Sequence, residues 1–126
     1  EITAARAGTV TESRDHYSDD DHNGGHENGV FVVHDDDTMA AYLHMSEHGV
    51  FVDVGDEVVA GDVIGLVGTS GTSASNPHLH FDVFEGQGER SQWYKTLPVN
   101  FRNAKGNLDN YGGLAESGYE ALTCPL

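Results

Sequence analysis

Two histidines that lie two residues apart, His78 and His80, are the residues of this sequence best suited to chemistry. The apolar and aromatic residues that follow, up to Phe84, predict a β-strand. Side chains at positions i and i+2 of a strand leave the same face, so both imidazoles are expected to point the same way, with Asp82 beyond them. Two imidazoles on the same face of a strand can supply part of a metal site, because imidazole is a good ligand for zinc.

The residues between these histidines and after them predict the other face of the same strand. Leu79, Phe81 and Val83 alternate with the polar positions and are expected to face a core. Upstream, residues 29–34 and 39–45 are β-branched, aromatic or apolar, and the polar residues between them favour a turn, so they predict a hairpin. On the second strand of this hairpin, the two-residue period places His44 on the face of Ala40 and Tyr42.

The rest of the sequence also favours short strands. In residues 49–68, apolar pieces alternate with Gly-Asp turns, which predicts tight corners between strands. Residues 15–28 are polar and have no period, which predicts an exposed loop. Residues 95–101 predict one more edge strand, where Pro98 is tolerated. No segment has the period of an amphipathic helix, and the fold class is therefore predicted to be all-β.

Composition excludes some classes of partner. The length of 126 residues fits one domain. The net charge of −15, from 21 acidic and 6 basic residues, repels the phosphates of nucleic acids and anionic membrane surfaces. No apolar run reaches the length of a membrane-spanning helix. The single cysteine, Cys124, would in a secreted protein indicate a partner outside this chain.

Three runs, in this order, resemble the lysostaphin-like or LytM-type zinc metallopeptidases. They are Tyr-Leu-His-Met at 42–45, the glycine-rich run at 52–71 and Pro-His-Leu-His-Phe-Asp at 77–82. The opening residues 2–10 and the strand at 30–34 fit the same pattern, so the resemblance covers roughly residues 1–85. It implies mostly antiparallel sheets with a groove along one sheet, a fold of the barrel-sandwich-hybrid (duplicated hybrid motif) type.

Members of this family cut peptide bonds, commonly in the cross-links of bacterial peptidoglycan. The resemblance implies a secreted, periplasmic or cell-envelope zinc endopeptidase whose substrate is a peptidoglycan peptide or another protein. By position, His80 would be a ligand of zinc (Zn2+), and His44 and His78 would be the catalytic histidines beside the activated water. Either of these two could accept the proton of this water or stabilise the oxyanion of the attacked carbonyl.

The family's zinc site also uses a His and an Asp in an H-x-x-x-D pattern, upstream of the segment that residues 2–10 match. His16 and Asp20 have this spacing but follow the first strand instead of preceding it, so we interpret them as unrelated. Three explanations stay open: the chain is a fragment, the domain has lost its metal, or the loop residues rebuild a site. We expect a fragment, with a metallopeptidase domain over 1–102 that lacks its metal-ligand segment, a tail over 103–126, and the upstream segment of the same protein as a partner.

The sequence also allows comparison with a carrier domain and with a calcium-binding loop. Residues 54–65 also resemble the biotinyl and lipoyl carrier domains, which need a modifiable lysine at a hairpin tip. The two lysines of the sequence, Lys95 and Lys105, lie in no such hairpin, which argues against a carrier. The loop at residues 15–28 is rich in aspartate but lacks the spacing of an EF-hand calcium site. The alternative that stays open is a catalytically inactive LytM-like regulatory or cell-wall-binding module.

Overall fold

A computed structural model of the chain describes residues 1–72, 75–86, 96–101, 104–105, 113–114 and 120–121. These residues form β-strands and loops, and all their strand pairings are antiparallel. The predicted all-β, antiparallel fold class is therefore confirmed. Among the residues that the structure describes, no helix is long and apolar enough to cross a membrane.

The described strands form one large sheet and one small sheet. They are β1 (Ile2–Thr3), β2 (Gly8–Arg14), β3 (Asn28–Val33), β4 (Met39–Val50), β5 (Glu57–Val58), β6 (Val63–Val67), β7 (His80–Phe84), β8 (Ala104–Lys105) and β9 (Glu120–Ala121). The large sheet has the order β1-β6-β4-β3-β2-β5, and β7 also pairs with β4. The small sheet is the pair β8-β9.

The long strand β4 organises the sheet because its neighbour changes along one edge. On one side it pairs with β3 from Met39 to Met45. On the other side it pairs first with β7, through Met39–Leu43, and then with β6, from Met45 onwards. The change from β7 to β6 falls at His44. Two different segments of the chain therefore end beside this residue.

The predicted hairpin of β3 and β4 is confirmed, and its turn has a clear local cause. The carboxylate of Asp36 accepts hydrogen bonds from the amide and the hydroxyl of Thr38, at 3.1 and 2.6 Å. Asp37 has a φ of +64°, a left-handed conformation that aspartate adopts more readily than most residues. These interactions close the turn between Val33 and Met39.

The Gly-Asp turns predicted in residues 49–68 are also present. Gly55 and Gly61 both have a φ of +96°, which residues with a Cβ rarely adopt. In each turn the following aspartate accepts a hydrogen bond from an amide three residues earlier: Asp56 from Asp53 at 2.8 Å and Asp62 from Val59 at 2.9 Å. The repeated turn sets the corners before β5 and β6.

The core consists of two clusters of buried apolar side chains. The larger contains Ile2, Ala4, Val10, Val30, Val32, Ala40, Tyr42, Met45, Val58 and Ile64. The smaller contains Phe31, Met39, Ala41, Leu43 and Phe84. Phe81 and Val83 pack against the larger cluster as predicted, whereas Leu79 is 39% exposed and that prediction is wrong. Leu79 precedes β7, so the alternation of that strand does not extend to it.

Two predictions for the C-terminal part also need correction. Residues 97–101 are not a strand. Thr96 forms a bridge with Phe84, the Leu97 amide donates to the Val83 carbonyl at 2.7 Å, and the Val99 carbonyl accepts from the Leu114 amide at 2.8 Å. In the predicted irregular tail, 103–126, the described residues include the pair β8-β9. Most of the tail, including Cys124, lies outside the described residues.

Candidate functional site

A β-bulge in β4 places His44. The neighbouring residues 28–29 of β3 pair with Met45 and Leu43. His44 is therefore an extra residue between two pairs, and its φ of +63° lies in the left-handed region. Met45 packs in the same core cluster as Tyr42, so the two-residue alternation that we assumed through His44 does not hold. A bulge re-aims a side chain, and bulges are common next to active sites.

The ends of β6 and β7 meet at this bulge. Val67, the last residue of β6, pairs with Met45, and His80, the first residue of β7, pairs with Leu43. The loop after β6 and the segment before β7 therefore both reach His44. The amide of Gly68 donates to the carbonyl of His44 at 2.8 Å, which ties the loop to the bulge.

The structure brings together the three histidines that the sequence singled out. The ring centroid of His44 lies 4.8 Å from that of His78 and 5.8 Å from that of His80. The strand begins at His80, however, and His78 lies in the exposed segment before it, where its Nδ1 is 2.8 Å from the carbonyl oxygen of Asn76. The prediction that both histidines belong to one strand is therefore wrong, although both rings reach the same neighbour.

His44 is held in one orientation by a backbone carbonyl. Its side chain is buried, with 4% of the residue exposed, and its Nδ1 lies 2.8 Å from the carbonyl oxygen of Ser70. Since a carbonyl can only accept a hydrogen bond, Nδ1 carries the proton and Nε2 of the neutral ring is an acceptor. Burial lowers the pKa of His44, against the opposing effect of the Ser70 carbonyl. A neutral, oriented imidazole with a basic nitrogen is suited to accept a proton.

His80 has a different electrostatic setting. Its Nε2 donates a hydrogen bond to Asp82 Oδ2, two residues along the same strand, and this bond raises the pKa of His80. The predicted common face of His80 and Asp82 is therefore confirmed. While the bond is in place, a metal ion could bind this ring only through Nδ1.

The described residues do not form a complete metal site. They contain no group of three or more His, Cys, Asp or Glu side chains that could hold a metal ion. Catalytic zinc is usually held by three protein ligands, so His80 alone does not fit that requirement. His16 and Asp20, which have the H-x-x-x-D spacing, are both exposed in the loop between β2 and β3 and belong to no such group.

Two further residues of the site were missed by the sequence analysis. Ser70 is fully buried and supplies the carbonyl that orients His44. Glu27, which is 9% exposed, accepts a hydrogen bond from the Thr72 amide at 3.3 Å, and its charge acts to raise the pKa of both His44 and His80. A serine in a glycine-rich loop and a glutamate in a polar loop carry no sequence signal for these contacts.

A cavity of about 740 Å³ has a lining that includes none of His44, His78 and His80. Arg6, His34 and Val58 contribute to its lining. Arg6 is occupied by ion pairs with Asp35 and Asp36, both at 2.8 Å. We place the candidate site at the three histidines because proximity and fixed orientation of proton-transfer groups, not cavity size, make catalysis possible.

The family model for peptidase family M23 matches residues 1–93. The chain belongs to this family. The match includes His44, His78 and His80. The resemblance to lysostaphin-like peptidases is therefore confirmed. A comparison with curated proteins finds no match.

Solved structures of M23 proteins are similar to this chain. The catalytic domain of the antimicrobial peptidase lysostaphin from Staphylococcus simulans is 29% identical, with a TM-score of 0.59 over 75% of this chain and 63% of that one. The catalytic domain of a mutant of the prophage-encoded M23 protein EnpA from Enterococcus faecalis is 29% identical, with a TM-score of 0.56 over 68% of this chain and 59% of that one. This chain thus spans about three fifths of each domain.

A longer lysostaphin structure from the same organism gives a similar result. It is 25% identical, with a TM-score of 0.58, and the match covers 88% of this chain and 49% of that one. Since the chain belongs to the M23 family, we take His44, His78 and His80, and not the cavity at Arg6, as the candidate peptidase site.

Proposed function

We propose that this chain forms the histidine half of the active site of a zinc endopeptidase that cleaves peptide bonds in peptidoglycan cross-links. The observation that supports the proposal is the meeting of His78 and His80 with the buried, oriented ring of His44 in a member of the M23 family. We also propose a secreted, periplasmic or cell-envelope location, where such a substrate is found.

In this proposal His44 and His78 are the catalytic histidines. Nε2 of His44 accepts the proton of the water that attacks the scissile carbonyl, because Nδ1 is already occupied by the Ser70 carbonyl. His78 lies on the exposed side of the cluster, where a substrate can reach it, and it stabilises the negative charge that develops on the carbonyl oxygen.

His80 is the proposed zinc ligand of this chain. The hydrogen bond that its Nε2 donates to Asp82 fixes the ring of His80, as carboxylates do for many metal-binding histidines. Bound zinc would supply a Lewis acid and a water of lowered pKa. Since the described residues provide one such ligand, zinc binding requires further ligands from residues beyond those that the structure describes.

The proposal is tested with a zinc-loaded protein that includes this chain and binds the metal. The substrate is purified insoluble peptidoglycan, and the measurement is the release of free amino groups over time. We expect release by the wild type and a loss of at least about 100-fold in His44→Ala, the usual contribution of a general base. His48→Ala, at an exposed position of β4, is the matched control and should retain full activity. Full activity in His44→Ala would contradict the assigned role.

The alternative is an inactive LytM-like module that regulates a partner or binds the cell wall. The absence of a metal-binding group among the described residues favours it. The same assay separates the two functions. An inactive module would bind insoluble peptidoglycan and release no amino groups, with or without added zinc.

A further inference from the structure

The carboxylate of Asp19, in the loop between β2 and β3, connects this loop to the site. Asp19 Oδ1 accepts a hydrogen bond from the Thr69 amide at 3.0 Å, and Oδ2 accepts one from the Ser46 hydroxyl at 3.0 Å. The backbone carbonyl of Asp19 also accepts a hydrogen bond from the Thr69 hydroxyl, at 2.9 Å. Asp19 thus joins β4, just after the bulge, to the loop that follows β6. The loop at residues 15–28, which we predicted to be exposed, is therefore hydrogen-bonded to the site at Asp19.

Ser70, which follows Thr69 in the loop after β6, is the residue that orients His44. The Ser70 hydroxyl donates to the carbonyl of Met45 at 2.7 Å and accepts from the amide of Asn28 at 3.0 Å. The Ser70 carbonyl accepts from His44 Nδ1 at 2.8 Å. The peptide unit whose carbonyl fixes the imidazole is held by the Ser70 side chain and by the amide of Gly71, which donates to the carbonyl of Asp21 at 2.7 Å. Asp19 fixes the residue before it, Thr69.

Close packing at Gly68 shows that this junction has little space for adjustment. A Cβ at this position would lie 2.4 Å from Asp19 Oδ1 and from Ser46 Cα, closer than real Cβ atoms come to other atoms. The loop after β6 can approach β4 this closely only because residue 68 is glycine. The carboxylate of Asp19 and the backbone of Ser46 therefore both pack directly against this loop.

We propose that Asp19 is a positioning residue for His44. It fixes the backbone of Thr69 and Ser70 so that the Ser70 carbonyl keeps the proton of the neutral imidazole on Nδ1. Such a constraint matters because His44 has left-handed backbone, a conformation that persists only when the surrounding structure determines it. The catalytic value of this role rests on the proposed function, but the orientation itself does not.

The test is the tautomer of His44 in the 126-residue chain, measured by the ¹⁵N chemical shifts of its ring nitrogens. The measurement is made at about pH 8, where imidazoles of ordinary pKa are neutral. In the wild type we expect the Nδ1–H form to dominate. In Asp19→Ala we expect His44 to shift towards a mixture of the Nδ1–H and Nε2–H forms. A wild-type tautomer in folded Asp19→Ala would overturn the proposal.

Two variants separate positioning from general effects of charge and stability. Asp20→Ala removes the same charge from the exposed neighbouring residue and should leave the tautomer of His44 unchanged. Asp19→Asn keeps an acceptor for the Thr69 amide and can donate to the Ser46 hydroxyl, so it should restore the Nδ1–H form. An equal shift in Asp20→Ala, or no recovery in Asp19→Asn, would contradict a specific role of this side chain.

If Asp19→Ala does not fold, Ser46→Ala provides the decisive variant, because it removes only one of the bonds of Asp19. A partial shift of the His44 tautomer would then support the proposal, and an unchanged tautomer would overturn it. Since the readout requires neither substrate nor metal, it stands even if the peptidase assay fails. In an active protein, Asp19→Ala should lower kcat and leave KM unchanged.

Discussion

The rings of His44 and His78 lie 4.8 Å apart, with His44 buried in the sheet and His78 exposed before β7. The buried ring is oriented by the Ser70 carbonyl, whereas the exposed ring contacts a carbonyl of its own segment. One histidine is thus fixed by tertiary contacts and the other faces solvent. This difference is suited to a proton acceptor of constant geometry beside a residue that contacts the substrate.

The proposed roles of His78 and His80 predict different losses in the zinc-loaded peptidase. We expect His78→Ala to reduce kcat by at least about 100-fold while retaining the metal, because it removes stabilisation of the developing oxyanion. We expect His80→Ala to lose zinc itself. Peptidoglycan hydrolysis and zinc content by elemental analysis measure the two effects. Equal turnover by His78→Ala and the wild type would eliminate its assigned role.

The left-handed backbone of His44 predicts a reversed preference between alanine and glycine. At a φ of +63°, a residue with a Cβ is strained by roughly 1–2 kcal/mol, and glycine is not. The variant His44→Gly should therefore be more stable than His44→Ala by about 1 kcal/mol. Urea unfolding of both variants measures the difference in the free energy of unfolding.

The neighbouring strand residue Ala41 provides the matched control for this comparison. It is fully buried, and its φ is not positive. Here Ala41→Gly should lower the free energy of unfolding by at least about 0.5–1 kcal/mol, the usual cost of glycine in a strand. If alanine were also the more stable residue at position 44, the bulge would not be strained.

The metal-free chain should show opposite pKa shifts at two histidines of the cluster. Burial lowers the pKa of His44 below its usual value of 6.5, and the hydrogen bond to Asp82 raises the pKa of His80 above 6.5. NMR titration of the imidazole resonances measures both values directly. Asp82→Asn should lower the pKa of His80, whereas Asp20→Asn, at an exposed loop position, should leave it unchanged. A pKa of His44 at or above that of His80 would contradict the described geometry.

These shifts have opposite effects on stability. The unfolded chain protonates His44 more readily than the folded chain, so this residue destabilises the fold as the pH falls through 6.5. The pair of His80 with Asp82 stabilises the fold below 6.5, and this stabilisation is lost as the pH rises through the raised pKa. The destabilisation caused by Asp82→Asn should therefore be larger at about pH 6 than at about pH 9 in urea unfolding.

A glycine opposite the strand of His44 predicts a large effect on folding stability. A Cβ at Gly29 would lie 2.4 Å from the carbonyl oxygen of Tyr42 and 2.8 Å from Leu43 Cδ2. We expect Gly29→Ala to reduce the free energy of unfolding by roughly 1–3 kcal/mol, because a well-packed core must shift to admit the methyl group. Denaturant unfolding monitored by circular dichroism measures the change.

The control for this prediction is Gly24→Ala in the exposed loop. A Cβ there would come no closer than 3.4 Å, to the hydroxyl of Thr72, which is ordinary contact. The free energy of unfolding should change by less than about 0.5 kcal/mol. Similar losses in the two variants would show that the effect at Gly29 does not come from close packing.

Local sequence patterns predict the individual strands and turns and the residue types of the site. The hairpin of β3 and β4 follows from two apolar runs and a polar turn, and the corners at Gly55 and Gly61 follow from Gly-Asp pairs. His80, Phe81 and Val83 also follow from the alternation of a strand. Each of these features depends on residues a few positions apart, where side-chain period and backbone preference act directly.

The way in which the histidines meet, and the contacts that hold them, depend on the packing of segments that are distant in sequence. The bulge at His44 forms where the neighbour of β4 changes from β7 to β6, and the carbonyl of Ser70 reaches the ring only because the loop after β6 packs there. The exposure of Leu79 likewise depends on where β7 begins. Period and propensity contain no information on which distant segments pair, because pairing is fixed by contacts between segments far apart in the chain.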